Sequence, residues 1–248
     1  NAKIGGVDVE AFRGWQEDSP EHAKALRATV RALGGCPMGT GATPHDDLGV
    51  YWVNVLGLSN RGEDPQAARP GGTFGGELNA VDVEDLTYAE LELRKRFMVG
   101  FNYYRKHVPG FGNARLLMFA SELGVRDSRR IKGVHHLTKE QLEAGARFED
   151  AIGITGRTFG QDNHLQVPYR TLVPEKVDGL VVAGRCISVD DGLIGPVRVI
   201  PPCMMTGQAA GTAAALAARE GVLPREVDPA LLRETLEDAG VILPGVDD

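Results

Sequence analysis

Apolar residues recur at helical spacing in four stretches of this chain. After Ser19-Pro20, the positions Ala25, Leu26, Val30 and Leu33 lie on one stripe and Gly34-Gly35 ends it. From about Asp82 to His107 the set Leu86, Leu91, Leu93, Phe97, Phe101 and Tyr104 predicts the longest helix, stopped by Pro109-Gly110. Pro201-Pro202 pre-set φ for a third helix through Cys203–Arg219, and Asp228-Pro229 opens a fourth that closes at Gly240. Thr138 and Gln141 have the spacing of a capping box, which predicts a short helix after Leu137. Strand patterns fall at Ala2–Val7, Gly49–Leu58, Arg115–Glu122 and Leu165–Leu172. Leu180, Val181, Val182, Ala183 and Gly184 run without a polar break, which predicts a strand covered on both faces. Ser59–Glu77, rich in Gly, Pro and charge, reads as a long loop. There is no internal repeat.

Composition narrows the function classes. The chain has 248 residues, 42% of them apolar, which suffices for an ordinary packed core in one large or two small domains. A net charge of −7 with dispersed basic residues disfavours nucleic acid and anionic membrane surfaces. Cys36, Cys186 and Cys203 are odd in number and lack metal-binding spacing, so free thiols and a cytoplasmic location are expected, with no metal. The apolar run around Cys203–Ala218 is too short and Gly-rich to span a membrane. The chain opens at Asn1 inside a strand pattern, so it is expected to be a piece of something longer.

The common nucleotide and hydrolase signatures are missing: no GxGxxG follows a strand, and there is no Walker loop, HExxH or GxSxG. What remains is Arg185–Pro202, where an apolar segment passes through Gly192, Gly195 and Pro196 to a helix start. A helix N-terminus carries roughly half a positive charge and favours an anion or a developing negative charge. Gly207 and Gly211 lie one turn apart on that helix, with Ala210 and Ala214, and a face without side chains admits a backbone or a flat ligand.

These residues carry a resemblance. PYRTL (Pro168–Leu172), AGRCIS (Ala183–Ser188), GPVR (Gly195–Arg198) and GQAAGTAAALA (Gly207–Ala217) follow one another as in the C-terminal segment of FAD-dependent oxidoreductases of the glutathione-reductase-like flavoprotein fold. GVRDSRRIKG with HLTKEQL resembles a further segment of that family, and the opening GGVDVE another, whereas Gly14–Ala114 is poorly covered. The family's dinucleotide fingerprint and its later acidic motif would lie before Asn1.

The resemblance implies an α/β protein of α+β character, the C-terminal portion of a two-domain flavoprotein. Residues 1–160 would form the substrate or cap region, and residues 161–248 would complete the FAD-binding domain. The cofactor is FAD, and hydride passes between a small organic substrate and flavin N5. An N-terminal Rossmann-type half, as a separate chain or a further segment, would supply the pyrophosphate site, and the Gly207/Gly211 face would dock on its sheet. An oligomer is compatible with this. Gly184, Arg185, Ser188, Gly195, Val197, Arg198 and Gly207 are the cofactor-binding candidates. Tyr169 and His164 are the candidates for proton transfer, and Arg129, in the charged turn with Arg126 and Arg130, is the third catalytic candidate. Each has a structural alternative: helix packing for the glycines, surface ion pairs for the arginines, a satisfied buried Tyr, an exposed His. Cys186 and Cys203 are expected to be small apolar fillers. Gly14–Ala114 is expected to hold the substrate specificity. The competing function is a non-catalytic binding or scaffold subunit that has kept the fold and lost the cofactor.

Overall fold

The structure, a computed structural model, describes residues 2–39, 49–55, 78–155 and 165–244. It is a mixture of helices and small sheets, α/β in the broad sense, and both sheets pair antiparallel. The chain divides into two compact units, Asn1–Val125 and Arg126–Asp248.

In the first unit the strands β1 (Ala2–Gly5), β2 (Met38–Gly39), β3 (Tyr51–Val55) and β4 (Arg115–Phe119) form one sheet in the order β2-β3-β1-β4. Helices α1 (Val9–Asp18), α2 (Pro20–Ala32) and α3 (Val83–His107) accompany it. Ser19, expected as the N-cap of α2, stands at that position but makes no side-chain cap bond, while other start signals act as read. Pro20 begins α2, and the Asp82 side chain accepts from the backbone N–H groups of Glu84 and Asp85. Helix α1 has no clean apolar stripe and carries Gly14, so the pattern did not show it, although Asp8 caps it by accepting from Ala11 N–H. Ile4, Phe12, Phe97, Phe101 and Tyr104 fill the core. At Gly100 of α3 an added Cβ would lie 2.3 Å from the Cys36 carbonyl oxygen, so the chain crosses that helix at backbone distance. The predicted loop Ser59–Glu77 and the end of the Gly49–Leu58 strand lie outside the described residues.

In the second unit β5 (Ala151–Thr155) pairs with β6 (Leu165–Pro168). Among the described residues four helices follow: α4 (Lys139–Glu143), α5 (Ile194–Val197), α6 (Ile200–Glu220) and α7 (Pro229–Asp238). The expected capping box at Thr138/Gln141 is formed. Helix α6 buries Thr206, Ala209, Ala213 and Leu216 against a core that includes Ile152, Leu172, Ile187 and Leu232.

Two strand predictions need correction. β6 stops at Pro168 because Asp150 takes over the next backbone donors: its carbonyl accepts from Tyr169 N–H at 2.8 Å and its carboxylate from Arg170 N–H at 3.0 Å. This turns Tyr169–Thr171 into a 3-10 turn. Leu180–Gly184 is not a strand. Leu180 is 44% exposed, Val181, Val182 and Ala183 are half-buried, and the segment's ladder-like bond is Val182 N–H to the Leu172 carbonyl at 2.9 Å. An extended segment becomes a strand only beside another, and no strand among the described residues pairs with this one.

Candidate functional site

The site assembles from three separated stretches of the second unit. Gly184–Cys186 is a 3-10 turn pinned to α6: the Gly184 N–H donates to Thr206 Oγ1 at 3.0 Å, while that hydroxyl donates to the Pro202 carbonyl at 2.9 Å. Gly184 has φ of +77°, a region in which a side chain is strained, so the turn requires glycine there. Its neighbour Arg185 is carried out to solvent. The second stretch is α5, which ends at half-buried Arg198 just before Val199 caps α6. The third is the segment containing Arg126, joined to the turn where Ile131 N–H donates to the Cys186 carbonyl at 2.8 Å.

The start of α6 is poor in free donors. Pro201 and Pro202 have no N–H, and Cys203 N–H donates to the Val199 carbonyl at 3.1 Å, so Ile200 N–H is the first-turn donor left without an intrahelical partner. The macrodipole persists, but side chains must carry much of the anion attraction. Arginine supplies it. The Arg198 guanidinium has its pKa pushed below the usual arginine value, first by desolvation and then by the like charges of Arg126 and Arg185, with Asp127 and Cys203 acting in the opposite sense. No carboxylate lies within ion-pair distance of Arg126 or Arg198 among the described residues.

Arg130 is occupied instead. It pairs with Asp191 and with Asp127 and donates to the Val189 carbonyl, locking its segment to the chain after Ser188. The charged turn therefore divides: Arg130 is structural, Arg126 is exposed with its charge acting on Arg198, and Arg129 is exposed and forms no ion pair with a described residue. A second lock is His136, whose Nδ1 lies 3.1 Å from Ser188 Oγ and whose Nε2 lies 2.9 Å from Asp190 Oδ1. Asp190 also accepts from Lys139 N–H at 2.9 Å, and these contacts, that backbone donor first, hold its carboxyl below the usual range. Ser188 is fully buried, so this Ser–His–Asp chain has no accessible nucleophile and acts as a brace. Beside it lies an open groove of about 590 Å³ lined by Ser128, Arg130, His136, Lys139 and Asp190. Nothing in sequence spacing pointed to His136 or Asp190, because their partnership exists only across the fold.

The other predicted residues are placed as follows. Tyr169 is buried, its hydroxyl donates to the Pro224 carbonyl at 2.8 Å, and burial pushes its pKa up to about 12. Its proton is held by a carbonyl, away from Arg185 and Arg198 in the hydrogen-bond network. His164 lies outside the described residues. Val197 is fully buried and Gly195 half-buried, between the turn and α6. Gly207 and Gly211 are exposed, and an added Cβ at either meets nothing within 4 Å. The buried face of α6 is the adjacent stripe through Ala210, so the two glycines do not pack against the described residues. The Cys186 and Cys203 thiols make weak bonds to the carbonyls of Ala183 and Arg198.

Among the described residues no three His, Cys, Asp or Glu side chains are placed to hold a metal ion, and no helix is long and apolar enough to cross a membrane.

A glycine turn, a helix start and the guanidiniums of Arg126 and Arg198, which pair with no described carboxylate, make an electropositive site suited to a group that carries or gains negative charge. The family is consistent with this chemistry: a model of the FAD dependent oxidoreductases matches residues 56–236, and the chain belongs to that family. It is thus an oxidoreductase of flavin type, and its cofactor is FAD. The matched span takes in part of the stretch from Gly14 to Ala114 where motifs were sparse, and it leaves out the opening GGVDVE. No curated protein and no solved structure matches the chain.

Proposed function

We propose that this chain supplies the flavin-ring and substrate side of an FAD-dependent oxidoreductase that moves hydride between a small organic substrate and flavin N5. A Rossmann-type half, as a separate chain or a further segment, supplies the pyrophosphate and adenosine sites. One observation carries the reading. The Gly207/Gly211 face of α6 is bare, and the apolar stretch Leu180–Ala183, pinned next to that helix through Gly184, has strand composition without a ladder among the described residues. A strand-like segment and a small-residue helix face lying together fit the edge of a sheet layer whose other strands lie elsewhere.

The residues present fit one end of the cofactor. Arg198, Arg185 and the positive end of α6 suit the pyrimidine edge of the flavin, which becomes anionic on reduction, and Gly184 and Gly195 leave room for a flat ring. Bound FAD supplies the two-electron chemistry. The chain's own side chains hold, orient and set the local charge, while the Arg130–Asp191 and His136–Asp190 locks fix the segments that present them. The partition into a substrate region through residue 160 and an FAD-completing segment after it belongs to this proposal.

The sequence's lack of a glycine fingerprint favours one second reading, a scaffold subunit without cofactor. The visible absorption spectrum of the gently purified native assembly separates the two. Flavin bands, together with a fingerprint-bearing piece found by mass spectrometry, are expected. A colourless assembly supports the scaffold, and this chain binding FAD fully and turning over by itself removes the need for the second half.

A further inference from the structure

We infer that Thr206 is a positioning residue for the flavin: its buried hydroxyl sets the Gly184–Cys186 turn against the start of α6, and through that turn it tunes how much more tightly the reduced cofactor is held than the oxidised one. This deepens the proposed function and rests on it.

Thr206 is fully buried in the second turn of α6, and three backbone groups meet at its Oγ1. Gly184 N–H is 3.0 Å away, the Pro202 carbonyl 2.9 Å and the Cys203 carbonyl 3.2 Å. A hydroxyl has one proton and two lone pairs. Gly184 N–H can only donate, so the oxygen accepts from it and the single proton is left for the helix carbonyls. The polarity of this relay is thereby fixed, from turn to hydroxyl and from hydroxyl to helix.

A helical threonine that bonds back to the carbonyl four residues earlier gains little by it and tends to bend the helix. Thr29, Thr87 and Thr235 make that bond at 3.0, 2.7 and 2.7 Å, in exposed or half-buried positions. Thr206 makes it while fully buried, and there its oxygen also satisfies a donor 22 residues earlier in the chain. Leaving a part-buried N–H without an acceptor costs more than the bond itself is worth, so the hydroxyl is needed on the turn's account. The approach is close as well: an added Cβ at Gly184 would lie 3.6 Å from Cys203 Sγ.

The turn has further anchors away from α6. Val182 N–H donates to the Leu172 carbonyl at 2.9 Å before it, and Ile131 N–H to the Cys186 carbonyl at 2.8 Å at its end. Without the Thr206 oxygen the turn therefore keeps its attachment to the core and loses its register on the helix. Turn and helix start are the two elements that the proposed function places at the flavin. The reduced ring carries more negative charge than the oxidised one, so its binding depends more steeply on where these dipoles stand.

The test is a dye-coupled redox titration of the flavin in the native assembly, with hydrogen exchange at the Gly184 amide on the same samples. Thr206→Val keeps the shape and removes the hydroxyl, Thr206→Ser keeps the hydroxyl, and Thr235→Val removes the same back-bond from α7. Thr206→Val is expected to weaken reduced flavin about tenfold relative to oxidised flavin, a fall of about 30 mV for a two-electron couple, and to speed exchange at Gly184. Thr206→Ser is expected to restore both to near the parent, and Thr235→Val to change neither. Thr206→Ala replaces the valine variant if that one does not fold, with the same expectation. A parental potential in the valine or alanine variant, a serine variant shifted as far as valine, a shift in Thr235→Val, or loss of the fold in both the valine and alanine variants overturns the inference. A colourless parent assembly sinks the proposed function and this inference with it, whereas a yellow parent whose potential is indifferent to Thr206 sinks this inference alone.

Discussion

The side chains that look most chemical in the sequence are not those the fold leaves free. Tyr169 stands in the PYRTL motif and has a titratable hydroxyl, yet it is 3% exposed and bonded to the Pro224 carbonyl. Its folded pKa is raised from 10.0 to about 12 because burial disfavours the phenolate. A raised pKa means the contribution to stability is complete below pH 10 and is lost as pH climbs from 10 towards 12. Tyr169→Phe is therefore expected to cost about 1 kcal/mol at neutral pH, the worth of a hydrogen bond, and to lessen the alkaline loss of stability between those limits. Melting curves across pH check this. Turnover near neutrality is expected to survive, and a large fall in turnover at unchanged melting temperature would identify Tyr169 as a proton donor. Arg126 was read with its sequence neighbours Arg129 and Arg130, whereas in the fold its charge also acts on Arg198, far along the chain.

Among the elements, two glycines in helices have opposite meanings that spacing alone does not distinguish. Gly100 in α3 faces the Cys36 carbonyl at a distance where a Cβ would stand 2.3 Å away, while Gly211 in α6 faces open space. Gly100→Ala is expected to destabilise by about 1–3 kcal/mol through overpacking, since the clash is with backbone that cannot swing aside. Gly211→Ala is expected to stabilise this chain by about 0.5–1 kcal/mol, the helix-propensity gain where the new methyl touches nothing. Denaturant melts of the two variants give both signs. If the bare face of α6 docks on a partner sheet, Gly211→Ala also loosens flavin retention in the complete assembly while raising the stability of this chain. A stabilised variant with undiminished flavin retention would remove the docking role from that face.

For the molecule as a whole, each unit has its own core: Ile4, Phe12, Phe97 and Tyr104 in the first, Ile152, Leu172, Ile187 and Leu232 in the second. Separate cores predict separate folding. A fragment beginning at Arg126 is expected to melt cooperatively on its own and to keep the amide protection of α6 and α7 in hydrogen exchange. Non-cooperative melting of that fragment would show that the second core is incomplete without residues before it.

The sequence by itself determined helices α2, α3, α4, α6 and α7 and most of their ends, though not α1 or α5. Caps, prolines and terminal glycines act through bonds a few residues long, and Asp82, Thr138, Pro20 and Asp228 perform as their types require. It also placed the family, because the order AGRCIS, GPVR, GQAAGTAAALA records local turn and helix chemistry. Tertiary structure alone decided whether apolar runs become strands: Leu165–Pro168 found β5 and is a strand, while Leu180–Ala183 found no neighbour among the described residues and is not. It alone decided which arginines meet a carboxylate, as Arg130 meets Asp191 and Arg170 meets Asp150, since a charge is neutralised by whatever the fold brings within a few ångströms. Local signals are written in adjacent residues, whereas ladders, ion pairs and burial depend on residues that meet only when the chain has folded.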